Sequence, residues 1–245
     1  MIFSAQEHLI AGALLTLADG PVRGDGEHRI AQQLAHSAAL IPGVLAASCS
    51  LTGPDGHVHD AASDDLAGEL ERLQATLNEG PCHDSLHTSK PLTDIPMDHP
   101  DSRRRWPRFS HRVLDAGFDA VTTLPIQATD RAVGTLNLYH RHHDLPPDGA
   151  HWAQVLAAAT SVGLTHRDSL HKALRRGDQL QHALDSRVLI EQAKGMLAER
   201  LDCTSNDAFE LLRHHARTHR HKVVDVAAQI VNNPPATGPF PRRCP

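Results

Sequence analysis

The sequence predicts an α+β domain with a mainly antiparallel sheet, followed by a small all-α domain of three helices. Strand-like and helical stretches mix up to about residue 147 without the strict alternation of a parallel sheet. From about Asp148 onward the strand signals vanish, and apolar residues recur at helical spacing. The predicted parts are a first domain at 5–147, a connecting helix at 148–178, the helical domain at 179–232 and a disordered, proline-rich tail at 233–245.

Periodicity and turn residues predict the first elements in order. Leu9, Ala13 and Leu17 lie four residues apart, so a helix is expected from Ala5 to Leu17. The following elements are a helix that carries Ile30, Leu34, Ala38 and Ile41 and stops near Pro42, a strand at Val44–Leu51, a turn at Gly53–Gly56, a short edge strand at His57–His59 and a helix at Leu66–Leu77.

The segment from Asn78 to Pro107 is rich in Pro, Asp, Ser and His, which predicts a long ordered loop with short helical pieces. Long loops inside compact domains often carry function. The elements expected after it are a helix at Phe109–Ala116 that stops at Gly117, strands at Val121–Ile126 and Val133–Tyr139, and a hairpin turn at Thr129–Arg131.

A long helix is predicted to leave the first domain, and its apolar side is a candidate homodimer seam. The seam residues are Leu170, Leu174, Leu180, Leu184 and Val188. Their spacing is too irregular for a heptad coiled coil. The pattern breaks at Leu201, and Thr204 is a good N-cap with Asp207 in the capping-box position. Two more helices are expected, with apolar faces at Ala208–Leu212 and Val223–Ile230.

Composition and charge exclude several classes of protein. The net charge of -5 argues against a protein that coats nucleic acid through a uniformly basic surface, so any such contact needs a local patch. The sequence contains no G-x-S-x-G, H-E-x-x-H, P-loop or G-x-G-x-x-G motif, so we do not expect an enzyme. The four cysteines lack C-x-x-C spacing, and the apolar stretch near the N-terminus is too short to span a bilayer. We expect a cytoplasmic protein that is not in a membrane and has reduced thiols.

The stretch from Asp185 to Val231 resembles the ANTAR family. The matching segments, in the same order and at similar spacing, are Ser186–Arg187, Ile190–Leu197, Ala208–Arg213, Ala216–Arg217 and Val226–Ile230. The resemblance implies a small helical unit that binds RNA stem-loops, usually a tandem pair. It also implies control of transcription termination, because a bound hairpin excludes the terminator.

The first domain looks like the GAF domains that precede ANTAR domains in actinobacterial proteins. The resemblance rests on Glu79–Cys82, Arg105–Pro107, Gly117 and Gly134–Tyr139, and covers roughly Ala5 to Val162. It implies an α+β sensor domain for a small-molecule or redox signal. Together the two resemblances imply a GAF–ANTAR regulator of transcription antitermination.

Residues 178–232 include seven Lys and Arg and eight Asp and Glu, so this domain has no net positive charge and RNA contact must come from local clusters of basic residues. Arg213, Arg217 and Arg220 would share one helix face if the helix continues that far, and arginine contacts phosphates and stacks on loop bases. Phe209 is expected in the core. The candidate RNA-binding residues are Arg187, Gln192, Lys194, Arg200, Arg213, Arg217, Arg220 and Lys222.

In the first domain the candidate ligand-pocket residues are Cys82, Trp106 and Tyr139. Cys82 is either a pocket or redox cysteine or a small packed residue, and packing is the interpretation that we favour. The histidines at His57–His59 and His140–His143 raise the question of a metal. No carboxylate or cysteine stands near them at a typical ligand spacing, so neither a metal site nor a cofactor is expected.

Two alternatives to the RNA-binding interpretation stay open. One is a DNA-binding helix-turn-helix regulator, for which Lys222 is the only obvious base-reading residue at the start of the last helix. The other is a sensor module that binds protein partners without binding RNA.

Overall fold

The computed structural model describes residues 5–19, 26–128 and 131–232. Two compact units divide between Ser169 and Leu170. The strands are β1 (Val44–Thr52), β2 (Val58–Ala62), β3 (Leu92–Pro96), β4 (Ala120–Ala128) and β5 (Arg131–His140). The helices are α1 (Ala5–Asp19), α2 (Gly26–Ala38), α3 (Asp65–Leu77), α4 (Pro81–Thr88), α5 (Pro100–Arg105), α6 (Pro107–Asp115), α7 (Pro147–Leu201), α8 (Ser205–Thr218) and α9 (Val223–Asn232). None of the helices in these described ranges is long and apolar enough to cross a membrane.

The first unit is built on an antiparallel sheet with the strand order β2-β1-β5-β4-β3. Alternate residues of each strand point to opposite faces of a sheet. One face, with residues such as Cys49, Leu124 and Leu136, packs against α1, α2 and the start of α7. The other face lies under α3, α4 and α6. The predicted α+β domain with a mainly antiparallel sheet is therefore confirmed.

Most predicted elements form within a few residues of their expected bounds. The main difference between the predicted and the observed elements lies in the segment Asn78–Pro107. It was predicted as a loop with short helical pieces, but it also contains the strand β3. β3 pairs with β4 at one edge of the sheet, through Leu92 opposite Thr123 and Ile95 opposite Val121. It is short, half-buried and interrupted by an irregular register, so its alternation is weak in the sequence. The turn predicted at Thr129–Arg131 includes residues 129 and 130, which lie outside the described residues.

A buried ion pair joins two helices on one face of the sheet. Arg167 of α7 pairs with Glu27 of α2, and the two side chains are only 8% and 14% exposed. Nearby, Gly163 of α7 lies against the backbone of α1, where a β-carbon would come within 2.1 Å of the Leu17 carbonyl oxygen. Close helix packing and the ion pair together hold the start of α7 in the first unit.

The second unit contains the rest of α7 together with α8 and α9. Its core residues are Ala193, Leu197, Leu201, Ala208, Leu212, Ala216, Val226 and Ala227. Thr204 caps α8 as predicted, because its hydroxyl accepts a hydrogen bond from the Asp207 N–H at 3.2 Å. The predicted small all-α domain is confirmed. The domain boundaries expected at 147, 178 and 232 stay a prediction, and the tail at 233–245 lies outside the described residues.

The expectation that Arg213, Arg217 and Arg220 share one helix face is wrong. α8 ends at Thr218, and Arg220 has a left-handed backbone with a φ of 56°. The His221 N–H then donates to the Ala216 carbonyl at 2.9 Å, which closes the end of the helix. Arg213 and Arg217 remain neighbours on α8, whereas Arg220 belongs to the turn that leads to α9.

Candidate functional site

Buried polar side chains occupy the sheet face that lies under α3 and α4. They are Ser48 on β1, Thr123 on β4, and Thr135 and Asn137 on β5. The helices contribute the buried Glu71 and Gln74 and the partly buried Cys82. These seven residues form the buried polar cluster. Buried polar groups cost free energy unless they are hydrogen-bonded, so their partners decide what the cluster can do.

Glu71 is the centre of this cluster. Its Oε2 atom accepts hydrogen bonds from the Asn137 amide at 2.8 Å and from the Ser48 hydroxyl. Asn137 is held in turn, because its Oδ1 atom accepts from the Thr123 hydroxyl at 2.8 Å. Burial raises the pKa of Glu71 from 4.5 to about 7, and the bonds from Ser48 and Asn137 limit the rise. Glu71 therefore changes charge near neutral pH.

Gln74 links the cluster to the Glu79–Cys82 motif. Its Oε1 atom accepts from the Cys82 N–H at 3.0 Å, whereas its Nε2 atom is buried without a hydrogen-bond partner among the described residues. Gly80 has a φ of 125°, and a β-carbon there would lie 2.2 Å from Gln74 Oε1. The motif thus needs glycine for close contact with Gln74.

Cys82 is a packed thiol of this cluster. Its Sγ atom lies 3.0 Å from Thr135 Oγ1 and 3.9 Å from Glu71 Oε1. Burial, followed by the charge of Glu71, raises the pKa of Cys82 to about 12. The thiolate is the reactive form of cysteine, so this environment favours packing over a redox role.

We expect Cys82 to react with iodoacetamide at neutral pH about 100-fold more slowly than glutathione, because its thiolate fraction is very small. Alkylation followed by mass spectrometry of the peptide measures the rate. The same peptide in urea-unfolded protein is the control, and its rate should approach that of glutathione. A folded-state rate equal to that of glutathione would contradict the packed interpretation.

The other two predicted pocket residues occupy different positions. The Tyr139 side chain is fully buried, and its hydroxyl lies 3.3 Å from Ser48 Oγ, at the border of the polar cluster. Trp106 is buried, and its indole N–H donates to Asp84 Oδ2 at 2.9 Å. It lines a separate cavity of about 310 Å³ with Leu92, Ile95 and Arg105. The structure brings Cys82 and Tyr139 to one cluster and leaves Trp106 outside it.

A surface cavity of about 410 Å³ reaches the polar cluster. Its lining residues are Asp60, Ala61, Ala62, Ser63, Asp64, Asp65, Gly68, Glu71 and Arg72. Glu71 therefore belongs both to the buried cluster and to the wall of an open cavity. Sequence reasoning did not identify Glu71, Ser48 or Asn137. The only signal was the alternation Thr135, Asn137, Tyr139 along one strand, which is also typical of a solvated sheet face.

The fold brings a carboxylate to the histidines that follow β5. Asp94 of β3 lies beside His142 and His143, although it is 48 residues away from His142 in sequence. His142 Nδ1 is 3.0 Å from Asp94 Oδ1, and His143 Nδ1 is 3.0 Å from Asp94 Oδ2. This carboxylate partner was not predicted, because the segment that forms β3 was expected to be a loop.

In the second unit, two cations flank one aromatic ring. Lys194 Nζ of α7 lies 5.3 Å from the centre of the Phe209 ring, and the Arg213 guanidinium of α8 lies 5.7 Å from it. Phe209 packs against the core but is only partly buried, so it differs from the core residue that was expected. Glu191 and Glu210 pair with Lys194 and Arg213 at 2.9 Å and 3.1 Å.

Arg217 extends this surface by one helical turn from Arg213. It is exposed, and it has no ion pair within the described part of the chain. We call Lys194, Phe209, Arg213 and Arg217 the cationic patch. Arg187 lies two turns before Lys194 on the same side of α7.

The remaining candidate RNA-binding residues lie elsewhere. Arg200 lines a groove with Met196, Leu197 and Ile230. Gln192 is exposed on a different side of α7 from Lys194. Arg220 and Lys222 are exposed in the turn between α8 and α9. Of the eight predicted residues, the structure therefore brings Lys194, Arg213 and Arg217 together in the cationic patch, and Arg187 lies two turns away on the same side of α7.

Comparisons with known proteins agree with the division of the chain into two units. The family model described as GAF domain matches residues 24–165, more than half of the chain, and that described as ANTAR domain matches residues 178–231. The presence of a GAF domain and an ANTAR domain, inferred from the residues, is thereby confirmed. No curated protein gives a significant match.

Solved structures resemble the chain at low sequence identity. The GAF domain from Acinetobacter phosphoenolpyruvate-protein phosphotransferase is 12% identical, with a TM-score of 0.47 over 69% of this chain and 97% of that one. The N-acylhomoserine lactone dependent LuxR family transcription factor CepR2 from Burkholderia cenocepacia is 15% identical, with a TM-score of 0.48 over 67% of this chain and 98% of that one.

Proposed function

Since the chain belongs to the GAF domain family and carries an ANTAR domain, we propose that it is a signal-responsive regulator of the actinobacterial GAF–ANTAR type. GAF domains are sensor domains, and ANTAR domains are RNA-binding domains of transcription antitermination. The protein binds tandem stem-loops in nascent mRNA in the cytoplasm and controls transcription termination. Its role is regulatory rather than catalytic.

The cationic patch is the observation that carries this proposal. Single-stranded RNA loops present unstacked bases, which proteins bind by aromatic and guanidinium stacking together with phosphate contacts. Phe209 supplies a partly exposed aromatic ring between Lys194 and Arg213. Arg217 adds a charge without an acidic partner in the described ranges, so it is available to a phosphate. A patch of this composition suits hairpin loops better than a continuous duplex.

A binding titration with a labelled RNA of two adjacent short-looped hairpins tests the proposal. We expect tight binding, and we expect Arg217→Ala to weaken it about tenfold, the usual effect of losing one good nucleic-acid contact. Arg175→Ala is the matched control, because Arg175 is an exposed arginine of α7 outside the patch. It should leave the affinity within about twofold, as a contact-free surface position does.

Two further nucleic acids make the experiment decisive. The same RNA with altered loops should bind more weakly, and duplex DNA of the same sequence should bind weakest of all. Equal affinity for all three would contradict loop recognition. A preference for the DNA would favour the helix-turn-helix alternative, and no binding at physiological salt would favour a sensor that acts through protein partners.

We further propose that the signal is a small polar molecule that binds in the cavity beside Glu71. The cavity wall holds three aspartates and Arg72, and Glu71 connects it to the buried polar cluster. The raised pKa of Cys82 argues against a redox signal at this thiol.

We propose that α7 also mediates homodimerisation. Five of its apolar side chains are 37–67% exposed, namely Leu170, Leu174, Leu180, Leu184 and Val188. Exposed apolar side chains that recur along one helix are typical of a helix that packs against a partner. A second copy of the same helix would cover the seam and would bring two RNA-binding units to two hairpins.

We expect Leu174→Glu combined with Leu184→Glu to convert a dimer into a monomer, because the charges would be buried in the seam. Light scattering after gel filtration gives the mass, which should fall by half. Glutamate is a good helix former, so α7 should persist in circular dichroism. Gln179→Glu is the control and should stay dimeric, because Gln179 is exposed and lies about 140° around α7 from both Leu174 and Leu184. A dimeric double variant would exclude this seam as the interface.

A further inference from the structure

Three potential metal ligands converge where β3 meets the segment that follows β5. The ligand atoms available on Asp94, His142 and His143 all lie within 4.8 Å of one another. Both histidines present Nδ1 to the carboxylate, each at 3.0 Å from a different oxygen. Ligands about 2.0 Å from one tetrahedral ion lie roughly 3.3 Å apart, so only small movements would be needed.

The backbone around these ligands is held by hydrogen bonds to groups outside the cluster. The His142 N–H donates to Asp119 Oδ1 at 2.6 Å, and the Asp94 N–H donates to Thr122 Oγ1 at 2.9 Å. The backbone at Asp94 and His142 is therefore anchored to the neighbouring residues Thr122 and Asp119.

His140 is a neighbour of the cluster but not a ligand. Its Nδ1 atom lies 2.8 Å from the Arg141 carbonyl oxygen, which can only accept, so this nitrogen carries the proton. Its Nε2 atom then accepts from the Thr122 hydroxyl at 2.9 Å. Both ring nitrogens of His140 are thus engaged. It supports Thr122, which in turn holds the backbone of Asp94.

From this geometry we propose that Asp94, His142 and His143 form a binding site for one divalent transition-metal ion of the Zn²⁺ class. Imidazole nitrogen suits zinc and its neighbours, and a carboxylate completes a common ligand set. The His143 side chain is 78% exposed, so the site faces solvent on one side. Water would complete the coordination shell there.

A bound ion would join two segments that the chain keeps apart. It would connect the edge strand β3 to the segment that leads from β5 into α7. An edge strand depends on few neighbours, so the ion would stabilise the first unit at this edge. This role is independent of RNA binding and of the cavity beside Glu71.

Metal titration of the full chain, freed of metal with a chelator, tests the site. Zn²⁺ in calorimetry and Co²⁺ absorption should each show one preferred site per chain, and Zn²⁺ should raise the melting temperature. Asp94→Asn and His143→Asn should each weaken binding at least tenfold, because loss of an outer-shell partner alone has that effect. Both positions have left-handed backbones, which Asn tolerates, so the variants should fold.

His111→Ala is the matched control. His111 Nδ1 also lies 3.0 Å from a carboxylate, Asp115 Oδ2, but no second imidazole from the described residues joins this pair. This variant should keep full affinity, stoichiometry and thermal stabilisation. Unchanged affinity in folded Asp94→Asn and His143→Asn would overturn the proposal, as would the absence of any saturable site above the background of the twenty histidines. In those cases the cluster is only a set of His–Asp hydrogen bonds.

Discussion

Glu71→Gln will raise the free energy of unfolding of the first unit by about 3 kcal/mol above neutral pH, because it removes a buried charge. Burial raises the pKa of Glu71 from 4.5 to about 7 in the folded protein. Below pH 4.5 the carboxyl is protonated in both states and has no cost. Between 4.5 and 7 the unfolded chain releases the proton first, so stability falls as the pH rises, and above 7 the full cost remains.

Glutamine keeps the contacts that matter in this cluster. Its amide oxygen can still accept from Ser48 and from the Asn137 amide, which both bond to one oxygen of Glu71. The gain should therefore be large at about pH 8 and small at about pH 5, where Glu71 is already protonated in the folded state. The wild-type protein should lose stability between these two values, whereas the variant should not.

Urea unfolding followed by tryptophan fluorescence measures this effect, because Trp106 and Trp152, the two tryptophans of the chain, both belong to the first unit. Glu69→Gln is the control, since Glu69 lies on the same helix with a side chain that is 56% exposed. It should change stability by less than about 0.5 kcal/mol at either pH. A variant of Glu71 that is less stable than wild type at about pH 8 would mean that the carboxylate is required in the fold.

Arg167→Met will lower the free energy of unfolding of the first unit by about 3 kcal/mol, because it leaves Glu27 buried without its cation. The two side chains are 8% and 14% exposed, so water compensates little of the lost pairing. The Met side chain keeps most of the apolar contact that the arginine stem made.

A double variant separates the charge from the packing. Arg167→Met combined with Glu27→Gln removes both charges, so it should recover most of the loss, because replacing a whole buried pair costs far less than breaking it. Arg103→Met is the control, since Arg103 is exposed and has no ion pair within the described ranges. If the double variant is as unstable as Arg167→Met, the loss comes from packing, and the ion-pair account fails.

Local signals explain which elements could be predicted from the sequence. The strands β1, β4 and β5 are nine or ten residues long and largely buried, so each appears in the sequence as a run of mainly apolar and small residues. Gly117 and Thr204 end or begin helices through their own backbone and side-chain chemistry. Conversely, Arg220 was placed on a helix that ends before it, because the charge pattern RHHARTHRH has no strong stop signal. The left-handed turn at Arg220 depends on how α8 and α9 pack together.

The candidate sites show the same division. Lys194, Arg213 and Arg217 were identified because the family motif and the charge cluster that contain them consist of residues close together in the sequence. Glu71 was not identified from the sequence, because a glutamate in an amphipathic helix is usually exposed to solvent. Only the packing of α3 over β1 and β5 buries its side chain. Asp94 was not identified because it lies on β3, which was predicted as loop. The strand that pairs with β3 is β4, almost thirty residues further along the chain.

The sequence by itself determined the two domain families, the order of their elements apart from β3, and the basic residues of the RNA-binding half, because all of these depend on spacing within a few residues. Only the tertiary structure decided which polar residues are buried and which distant side chains meet. Burial sets the pKa of Glu71 and Cys82, and strand pairing places Asp94 beside His142 and His143. Both effects arise from contacts between segments far apart in the chain, which no local pattern encodes.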